Sequence, residues 1–365
     1  MAFPELCVPD LSIIVPTYNE RGNVAELARR LDAALAGLAW EAIYVDDNSP
    51  DGTSEAVKAI ALTDPRIRCL RRVGRRGLAG ACIEGMLASS APYIAVIDAD
   101  LQHDETVLPK MLATLKGGNA DLVAGTRYVE GGSAASFSAR RSALSRLATW
   151  LTRRLLGTSL SDPMSGFFMM RRDCFDVIAP RLSPVGFKIL LDIAGSARLR
   201  ITEQPYVFGE RFAGESKFSA QIGLEFLGLL LSKMTGDVID PRFVFFALVG
   251  SIGLMVHLAA LKAGLAFLPL NFRDAQIGAT LVAMTCNFLL NNELTYRDRR
   301  LKGFAMLRGF LLFCLFASVG AFVNVDLAEW LYSGRSVWWV AGAAGAVMSA
   351  LWNYAMSTLF VWRAR

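Results

Sequence analysis

Val96-Ile97-Asp98-Ala99-Asp100-Leu101-Gln102-His103 decides how the first half of this chain is read. It continues Pro92-Tyr93-Ile94-Ala95, so an apolar, β-branched run stops abruptly at two carboxylates one residue apart, followed by an amide and an imidazole. A short apolar run with such an end is the pattern of a buried strand. Alternate side chains of an extended chain point the same way, so Asp98 and Asp100 can act on one ligand. Two hard oxygen donors at the mouth of a sheet suit Mg²⁺ or Mn²⁺, above all when a substrate diphosphate adds further oxygens. Alone, Asp-x-Asp after a strand is as readily the start of an ordinary loop, and the neighbouring segments have to decide.

Working outward, the same pattern recurs. Leu11-Ser12-Ile13-Ile14-Val15 reads as a strand ended by Pro16-Thr17-Tyr18-Asn19-Glu20, and Asn23 is placed to cap a helix over 24–36. Trp40 to Val45 is the next strand, ended by Asp46-Asp47-Asn48-Ser49-Pro50-Asp51-Gly52-Thr53. A helix over 54–61, a strand over 67–71 and a glycine-rich turn, Gly74-Arg75-Arg76-Gly77-Leu78-Ala79-Gly80, lead to a helix ending near Ser89. Alternating strands and helices predict a mostly parallel, Rossmann-like α/β sheet whose ligands gather at the carboxyl ends of the strands. Every acidic or glycine-rich cluster falls at such an end. The bland alternatives are a turn rich in turn-forming residues at 46–52 and a solvated basic face at Arg71-Arg72 and Arg75-Arg76. The glycines fit neither a Walker phosphate loop nor a dinucleotide fingerprint.

Composition sets the limits. The chain has 365 residues, 53% of them hydrophobic, and a mean hydropathy of +0.38, too apolar for an ordinary soluble protein. Charges are dense to about Lys217 and sparse afterwards. A net charge of +5 without a basic, aromatic-interleaved block argues against nucleic acid as a partner. Six cysteines without regular spacing read as reduced thiols, and two histidines are too few for a histidine-ligated metal centre. The N-terminus lacks the basic and apolar regions of a signal peptide, so the first domain is expected in the cytoplasm.

The motifs Val15-Pro16-Thr17-Tyr18-Asn19-Glu20, Val45-Asp46-Asp47-Asn48-Ser49-Pro50-Asp51-Gly52-Thr53 and Asp98-Ala99-Asp100-Leu101-Gln102-His103 occur in an order that resembles the family 2 glycosyltransferases of GT-A fold. More narrowly, the chain resembles dolichol/polyprenol-phosphate mannose synthases. Further matches are Ala124-Gly125-Thr126-Arg127-Tyr128-Val129-Glu130-Gly131-Gly132, Asp162-Pro163-Met164-Ser165-Gly166-Phe167-Phe168, Gly186-Phe187-Lys188 and Arg211-Phe212-Ala213-Gly214-Glu215-Ser216-Lys217. One departure is Asp104-Glu105 where prolines often follow the histidine. The resemblance implies a nucleotide-sugar site formed by Pro16, Tyr18, Glu20, Val45, Asp47, Asp98, Ala99, Asp100, Lys188, Arg211 and Lys217. It implies Mg²⁺ or Mn²⁺ on Asp98, Asp100 and Gln102, and an acceptor-phosphate site of Arg127, Arg141 and Ser145. Asp100, Arg127 and Arg211 would carry the catalysis. Whether Arg140 or Arg141 faces the acceptor stays open, and a basic helix start on lipid headgroups is the simpler reading of that pair. Residues 131–138 read as a lid, and His103 as a structural neighbour of the ligands rather than a base. The implied reaction is inverting transfer of mannose from GDP-mannose to dolichyl or polyprenyl phosphate, giving a β-linked product.

From Phe218 the pattern changes. Residues 218–241 read as an interfacial amphipathic helix and linker, with Glu225 and Lys233 interrupting the apolar side; a core helix is the alternative. Residues 242–365 then hold four apolar segments, about 243–265, 275–293, 305–327 and 336–362, each near the roughly 20 residues a bilayer span needs. Arg297, Arg299, Arg300, Lys302 and Arg308 put the central connection, and with it both termini, on the cytoplasmic side. Phe245-Phe246-Ala247-Leu248-Val249-Gly250 and Asn287-Phe288-Leu289-Leu290-Asn291-Asn292 resemble the GtrA-like four-helix membrane domain. Asn287, Asn324 and Asn353 are expected to bond between helices. Anchoring is the expected role of this domain, and it is also where self-association into a homo-oligomer would occur. The fold expected overall is an α/β GT-A domain followed by an all-α four-helix transmembrane domain. The alternatives are the same chemistry with UDP-glucose, or a lipid-sugar transporter carrying an inactive transferase domain. A processive synthase is disfavoured because no Gln-x-x-Arg-Trp motif is present.

Overall fold

The computed structural model describes residues 8–127, 160–184, 188–209, 240–268, 271–334 and 337–363, with positions 150, 152, 154, 228 and 230–235. The chain divides into two compact units after Val238. In the first, β1 (Leu11–Thr17), α1 (Val24–Ala34), β2 (Trp40–Asp46), α2 (Thr53–Ala61), β3 (Ile67–Arg71), α3 (Leu78–Ala88) and β4 (Tyr93–Val96) alternate as the apolar patterning predicts. Then come α4 (Leu108–Lys116), β5 (Leu122–Thr126), β6 (Phe168–Arg171), α5 (Arg172–Ile178), α6 (Ile189–Ser196) and β7 (Ile201–Pro205). The seven strands form one sheet in the order β3-β2-β1-β4-β6-β5-β7. Neighbours are parallel except β6, which runs antiparallel to both β4 and β5.

Both faces of the sheet are covered. Leu11, Ile13, Val15, Ala42 and Tyr44 pack on one side with α1 and α4, whereas Ile14, Ile43, Val45 and Val96 pack on the other with α3 and α6. This alternation is the two-residue period of a strand, and burial on both faces explains why β1 and β2 are apolar almost throughout. Asn23 corrects its expectation. It precedes α1 in helical conformation and its side chain caps nothing; it donates to Glu20 Oε2 at 2.6 Å instead.

In the second unit, α7 (Pro241–Phe267), α8 (Phe272–Leu290), α9 (Phe304–Ser333) and α10 (Trp338–Met356) pair as two hairpins, α7 with α8 and α9 with α10. Among the described residues, 242–267 and 304–323 are long and apolar enough to cross a membrane. Leu254, Met255, Leu311, Leu315 and Phe322 point outward, as they do when the solvent is lipid.

The two hairpins repeat each other. Phe243-Val-Phe-Phe-Ala-Leu-Val-Gly-Ser-Ile-Gly253 on α7 matches Phe310-Leu-Leu-Phe-Cys-Leu-Phe-Ala-Ser-Val-Gly320 on α9. Ser251 and Ser318 both donate back to the preceding turn, to Ala247 O (3.0 Å) and Cys314 O (2.9 Å). A methyl group on Gly253 would collide with the Asn287 carboxamide, and one on Gly320 with that of Asn353, so each hairpin closes an asparagine onto a glycine. Four residues after either asparagine the helix widens into a π-turn, Asn291–Thr295 and Ser357–Val361, ended by Tyr296 and Trp362.

Those two rings stack with centroids 4.4 Å apart and planes 3° from parallel. Their polar ends cross over: Trp362 Nε1 donates to Asn292 Oδ1 at 2.9 Å, and Tyr296 OH meets Thr358 Oγ1 at 2.8 Å. Asn292 and Thr358 are themselves equivalent positions, so the exchange has pseudo-two-fold symmetry. Hydrophobic association is weak inside a bilayer, and close glycine contacts and hydrogen bonds replace it. If the clasp is symmetric, exchanging its rings should be tolerated. Tyr296→Trp with Trp362→Tyr should unfold in detergent within a few degrees of the parent, whereas Trp362→Leu should cost about 3 kcal/mol; equal losses in thermal unfolding would contradict the symmetry.

Candidate active site

The carboxyl ends of β1, β2 and β4 lie side by side, which crowds acids at one edge of the sheet. The structure separates acids that look alike in the sequence. Asp46 is fully buried and accepts from Ser49 N (3.0 Å), from the Ser49 hydroxyl and from Ser54 Oγ (2.6 Å). Asp51 Oδ1 receives Thr53 N (3.0 Å) and Thr53 Oγ1 (2.6 Å), and its Oδ2 receives Arg21 N (3.2 Å). Both therefore build the turn between β2 and α2, as Asx-type bonds do.

Asp47 is different. It lies against the buried Arg72 guanidinium, and its Oδ2 accepts Gly77 N at 2.7 Å. Burial pushes its carboxyl up, and the Gly77 N–H and Arg72 oppose that shift. Arg72 also donates to Gly77 O (3.1 Å) and to Glu84 Oε1 (3.1 Å), so Asp47 and the glycine turn after β3 are one rigid piece. At the end of β1, Arg76 stacks on the Tyr18 ring at 4.5 Å, and Glu20 N donates to Thr53 Oγ1 at 3.0 Å. Pro16 and Val45 are buried, Val45 against the helix α3 face of the sheet.

After β4, Leu101 takes φ +62°, a left-handed turn that costs a branched residue about 1 kcal/mol. That turn aims Asp100 Oδ1 at Gln102 N (3.2 Å). Gln102 is bound twice to one residue: its main-chain oxygen takes Gly209 N (2.8 Å) and its Nε2 donates to Gly209 O (3.2 Å). Its Oε1 is thereby turned away from Gly209. Ala99 is buried, whereas the Asp98 side chain is 35% exposed and lies flat on Gly166, where a Cβ would come within 2.7 Å of Oδ2. Among the described residues no set of three carboxylate, imidazole or thiol groups converges. Two carboxylates and an amide oxygen are hard donors of the kind a divalent cation takes when substrate oxygens complete its shell.

His103 sits under this pair. Its ring stacks on Phe167 (5.2 Å) and meets Tyr206 and Phe208 edge-on. Nδ1 accepts Asp98 N at 3.3 Å, so the ring proton is on Nε2, 3.9 Å from Asp98 Oδ2 and beyond hydrogen-bond reach. Burial holds its pKa down at about 4, against the weaker pull of Asp100. His103 is thus a neutral support for Asp98.

Arg127, at the end of β5, forms a two-point fork with Asp162: Nε to Oδ2 at 2.7 Å and Nη2 to Oδ1 at 3.0 Å. Its guanidinium also lies 4.9 Å over the Phe208 ring. Asp162 and the cage of Phe167, Tyr206 and Phe208 carry no role in the sequence analysis. Asp162 and Phe167 stand in a quoted motif, but nothing marks Tyr206 and Phe208 before their contacts are seen. Lys188 precedes α6, and its carbonyl accepts Asp192 N at 3.0 Å. Arg140, Arg141, Ser145, Arg211, Lys217 and the expected lid at 131–138 lie outside the described residues. So do residues 218–227 of the expected interfacial helix.

Residues 12–178 match the Glycosyl transferase family 2, and residues 245–362 match the GtrA/DPMS transmembrane domain. Over 363 residues the chain is 34% identical to a dolichol-phosphate mannosyltransferase of Pyrococcus furiosus, spanning 96% of this chain and 99% of that protein. It is 36% identical over 229 residues to the dolichol-phosphate mannosyltransferase of Saccharomyces cerevisiae, spanning 60% of this chain and 84% of that one. Among solved structures, glucosyl-3-phosphoglycerate synthase from Mycobacterium tuberculosis, in complex with Mn²⁺, UDP-glucose and phosphoglyceric acid, is similar at a TM-score of 0.47. That match has 20% identity and covers 62% of this chain and 80% of that chain. With a family 2 transferase unit, a GtrA-type membrane unit and an end-to-end relative, the chain belongs to the dolichol-phosphate mannosyltransferase family of glycosyltransferases.

Proposed function

We propose that this enzyme transfers mannose from GDP-mannose to the phosphate of dolichyl or polyprenyl phosphate on the cytoplasmic face of a membrane, with inversion to a β-linked product. The observation that carries the reading is the end-to-end match to the Pyrococcus furiosus enzyme, which includes both units. The geometry supports it. Asp98, Asp100 and Gln102 would hold Mg²⁺ or Mn²⁺, whose contribution when bound is to offset charge on the departing nucleoside diphosphate.

The chain's own residues do the rest. Asp47, Tyr18 and Glu20 line the side on which the base and ribose would lie, and carboxylates there suit guanine N–H groups and ribose hydroxyls. Arg127 presents a fixed positive charge, held by Asp162 and flanked by Phe208, to the acceptor phosphate. A lipid monophosphate is ionised at neutral pH, so its oxygen attacks the anomeric carbon without a general base. The carbon–oxygen bond to the nucleoside diphosphate breaks as the new one forms, on the opposite face of the sugar. Lys188, Arg211 and Lys217 would close the donor side, and Arg141 with Ser145 would complete the acceptor side. The basic connection between α8 and α9 supports cytoplasmic termini, and the membrane unit is read as an anchor that can also self-associate.

The reading is tested with purified protein, labelled GDP-mannose and UDP-glucose in parallel, and dolichyl phosphate in detergent micelles. Labelled lipid should form from GDP-mannose alone, stop with a chelator and return with Mn²⁺ or Mg²⁺; label from UDP-glucose alone would overturn the donor. Asp100→Ala should lower kcat/KM by about 10³-fold. Arg127→Lys should lower it about 10²-fold, chiefly through the acceptor, because an ammonium cannot make the two-point fork with Asp162. An Arg127→Lys enzyme with parental acceptor kinetics would remove Arg127 from the acceptor site.

A further inference from the structure

Lys233 interrupts an apolar stretch, and the structure gives it a use. Residues 230–234 are helical, with Leu230 and Ser232 buried on the first unit and Leu231 and Met234 facing outward. The Lys233 ammonium is inside. It lies 2.7 Å from Asp192 Oδ1, 2.9 Å from Ser196 Oγ and 3.3 Å from Arg181 O, and both charged side chains are 2% exposed. A buried pair contributes little net stability against its apolar replacement, and its attested use is to fix a geometry.

The geometry it fixes is that of Ser183 and Pro184, which precede α6. Asp192 Oδ2 accepts Ser183 N at 2.7 Å while Asp192 N donates to Lys188 O at 3.0 Å, so one residue is bonded to both Ser183 and Lys188. The next carbonyl, Pro184 O, faces the glycine turn after β3: a Cβ on Gly80 would stand 3.0 Å from it, and one on Gly77 3.7 Å, so the lack of a side chain at Gly80 lets the two fit closely. Gly77 is the residue whose N–H holds Asp47, and a Cβ on Gly80 would come within 2.7 Å of Arg72 Nη2. A series of neighbouring groups therefore runs from Lys233 through Asp192, Ser183 and Pro184 to the Asp47–Arg72 pair.

We propose that Asp192, neutralised by Lys233, is a positioning residue for the donor side of the site, its side chain fixing Ser183 so that Pro184 braces the glycine turn beneath Asp47. The proposal rests on the assignment of that side to the nucleotide. Lys233 touches no substrate. It stands just ahead of the join between the two units, so the segment that leaves the transferase unit also sets the shape of the donor wall.

The test separates bracing from mere stability. Lys233→Met alone leaves a buried carboxylate without its partner, so the informative proteins are full-length double variants. Lys233→Met with Asp192→Leu replaces the pair by apolar bulk and removes the acceptor for Ser183 N. Lys233→Met with Asp192→Asn is also uncharged but keeps that acceptor. In the first variant the KM for GDP-mannose should rise about 10-fold, with kcat and the KM for dolichyl phosphate near parental values. The second should recover most of the loss.

Trypsin cleavage after Lys188 supplies a readout that needs no donor. It should quicken in the leucine variant and return toward the parental rate in the asparagine variant. If the leucine variant does not fold, Lys233→Met with Asp192→Ala carries the same expectation. A folded variant lacking the acceptor, with parental donor KM and parental cleavage, overturns the proposal. Faster cleavage with donor KM unchanged overturns the link to the site. A parent protein that turns over no GDP-mannose counts against the assigned reaction instead and leaves the cleavage result to judge the brace.

Discussion

The structure depends on how negative charge is distributed at one edge of its sheet. Parallel strands deliver their carboxyl ends to the same side, and this sequence puts Asp46, Asp47, Asp51, Asp98 and Asp100 there. Carboxylates so close together raise one another's pKa unless each receives donors of its own. Asp46 is met by hydroxyls and an N–H, Asp51 by the start of α2, Asp47 by Arg72 and Gly77, and Asp162 by Arg127. The fold thus settles most of its acids internally. Asp98, the most exposed of those tied to β4, rests on a bare glycine backbone and beside an imidazole that burial keeps neutral. A site built in this way keeps a partly exposed carboxylate at the end of β4 and uses its other acids to hold the walls.

The strand–helix alternation was legible because burial on both faces imposes a long apolar run that ends abruptly in polar residues. Strand order was less so. The antiparallel β6 brings Phe168–Arg171 between β4 and β5, and that placement comes from pairings across many residues rather than from local pattern. The acids show the same limit. Asp46, Asp47 and Asp51 stand within one short motif, yet Asp47 differs from its neighbours only through Arg72 and Gly77, which arrive from β3 and the turn after it. Asn23 has the composition of a cap and the position of one, but its backbone is already helical and its Nδ2 is turned to the Glu20 carboxylate, which keeps Oδ1 off the helix N–H groups. The aromatic support of His103 and Arg127 had no local signature at Tyr206 and Phe208, because edge-on ring contacts impose no spacing on the sequence.

The membrane unit makes the opposite case. Its repeat is visible in the letters only after the structure aligns Gly253 with Gly320 and Tyr296 with Trp362. Lipid-facing positions accept any large apolar residue, so likeness there carries little information. What persists is set by hard constraints: a residue without a side chain where a carboxamide must pass, and a ring with a donor where two π-turns meet. Each hairpin is closed by an asparagine on a glycine, and the two are joined by exchanged hydrogen bonds at their aromatic ends.

Charge, rather than proton transfer, is what a reaction between a phosphate and a sugar diphosphate asks of its catalyst. Both partners are anionic, so the barrier includes their mutual repulsion, and positive groups held in place lower it without reorganising during the step. In its proposed role Arg127 meets that requirement because its orientation is already determined. Two bonds to Asp162 fix the plane of the guanidinium, and Phe208 covers one face of it. Asp162 reduces the net charge of the fork while it fixes the direction in which the guanidinium points. A lysine would retain the charge and lose the plane. The buried, neutral His103 fits the same logic, since an imidazolium beside Asp98 would compete with a cation for the carboxylate that the strand end exposes.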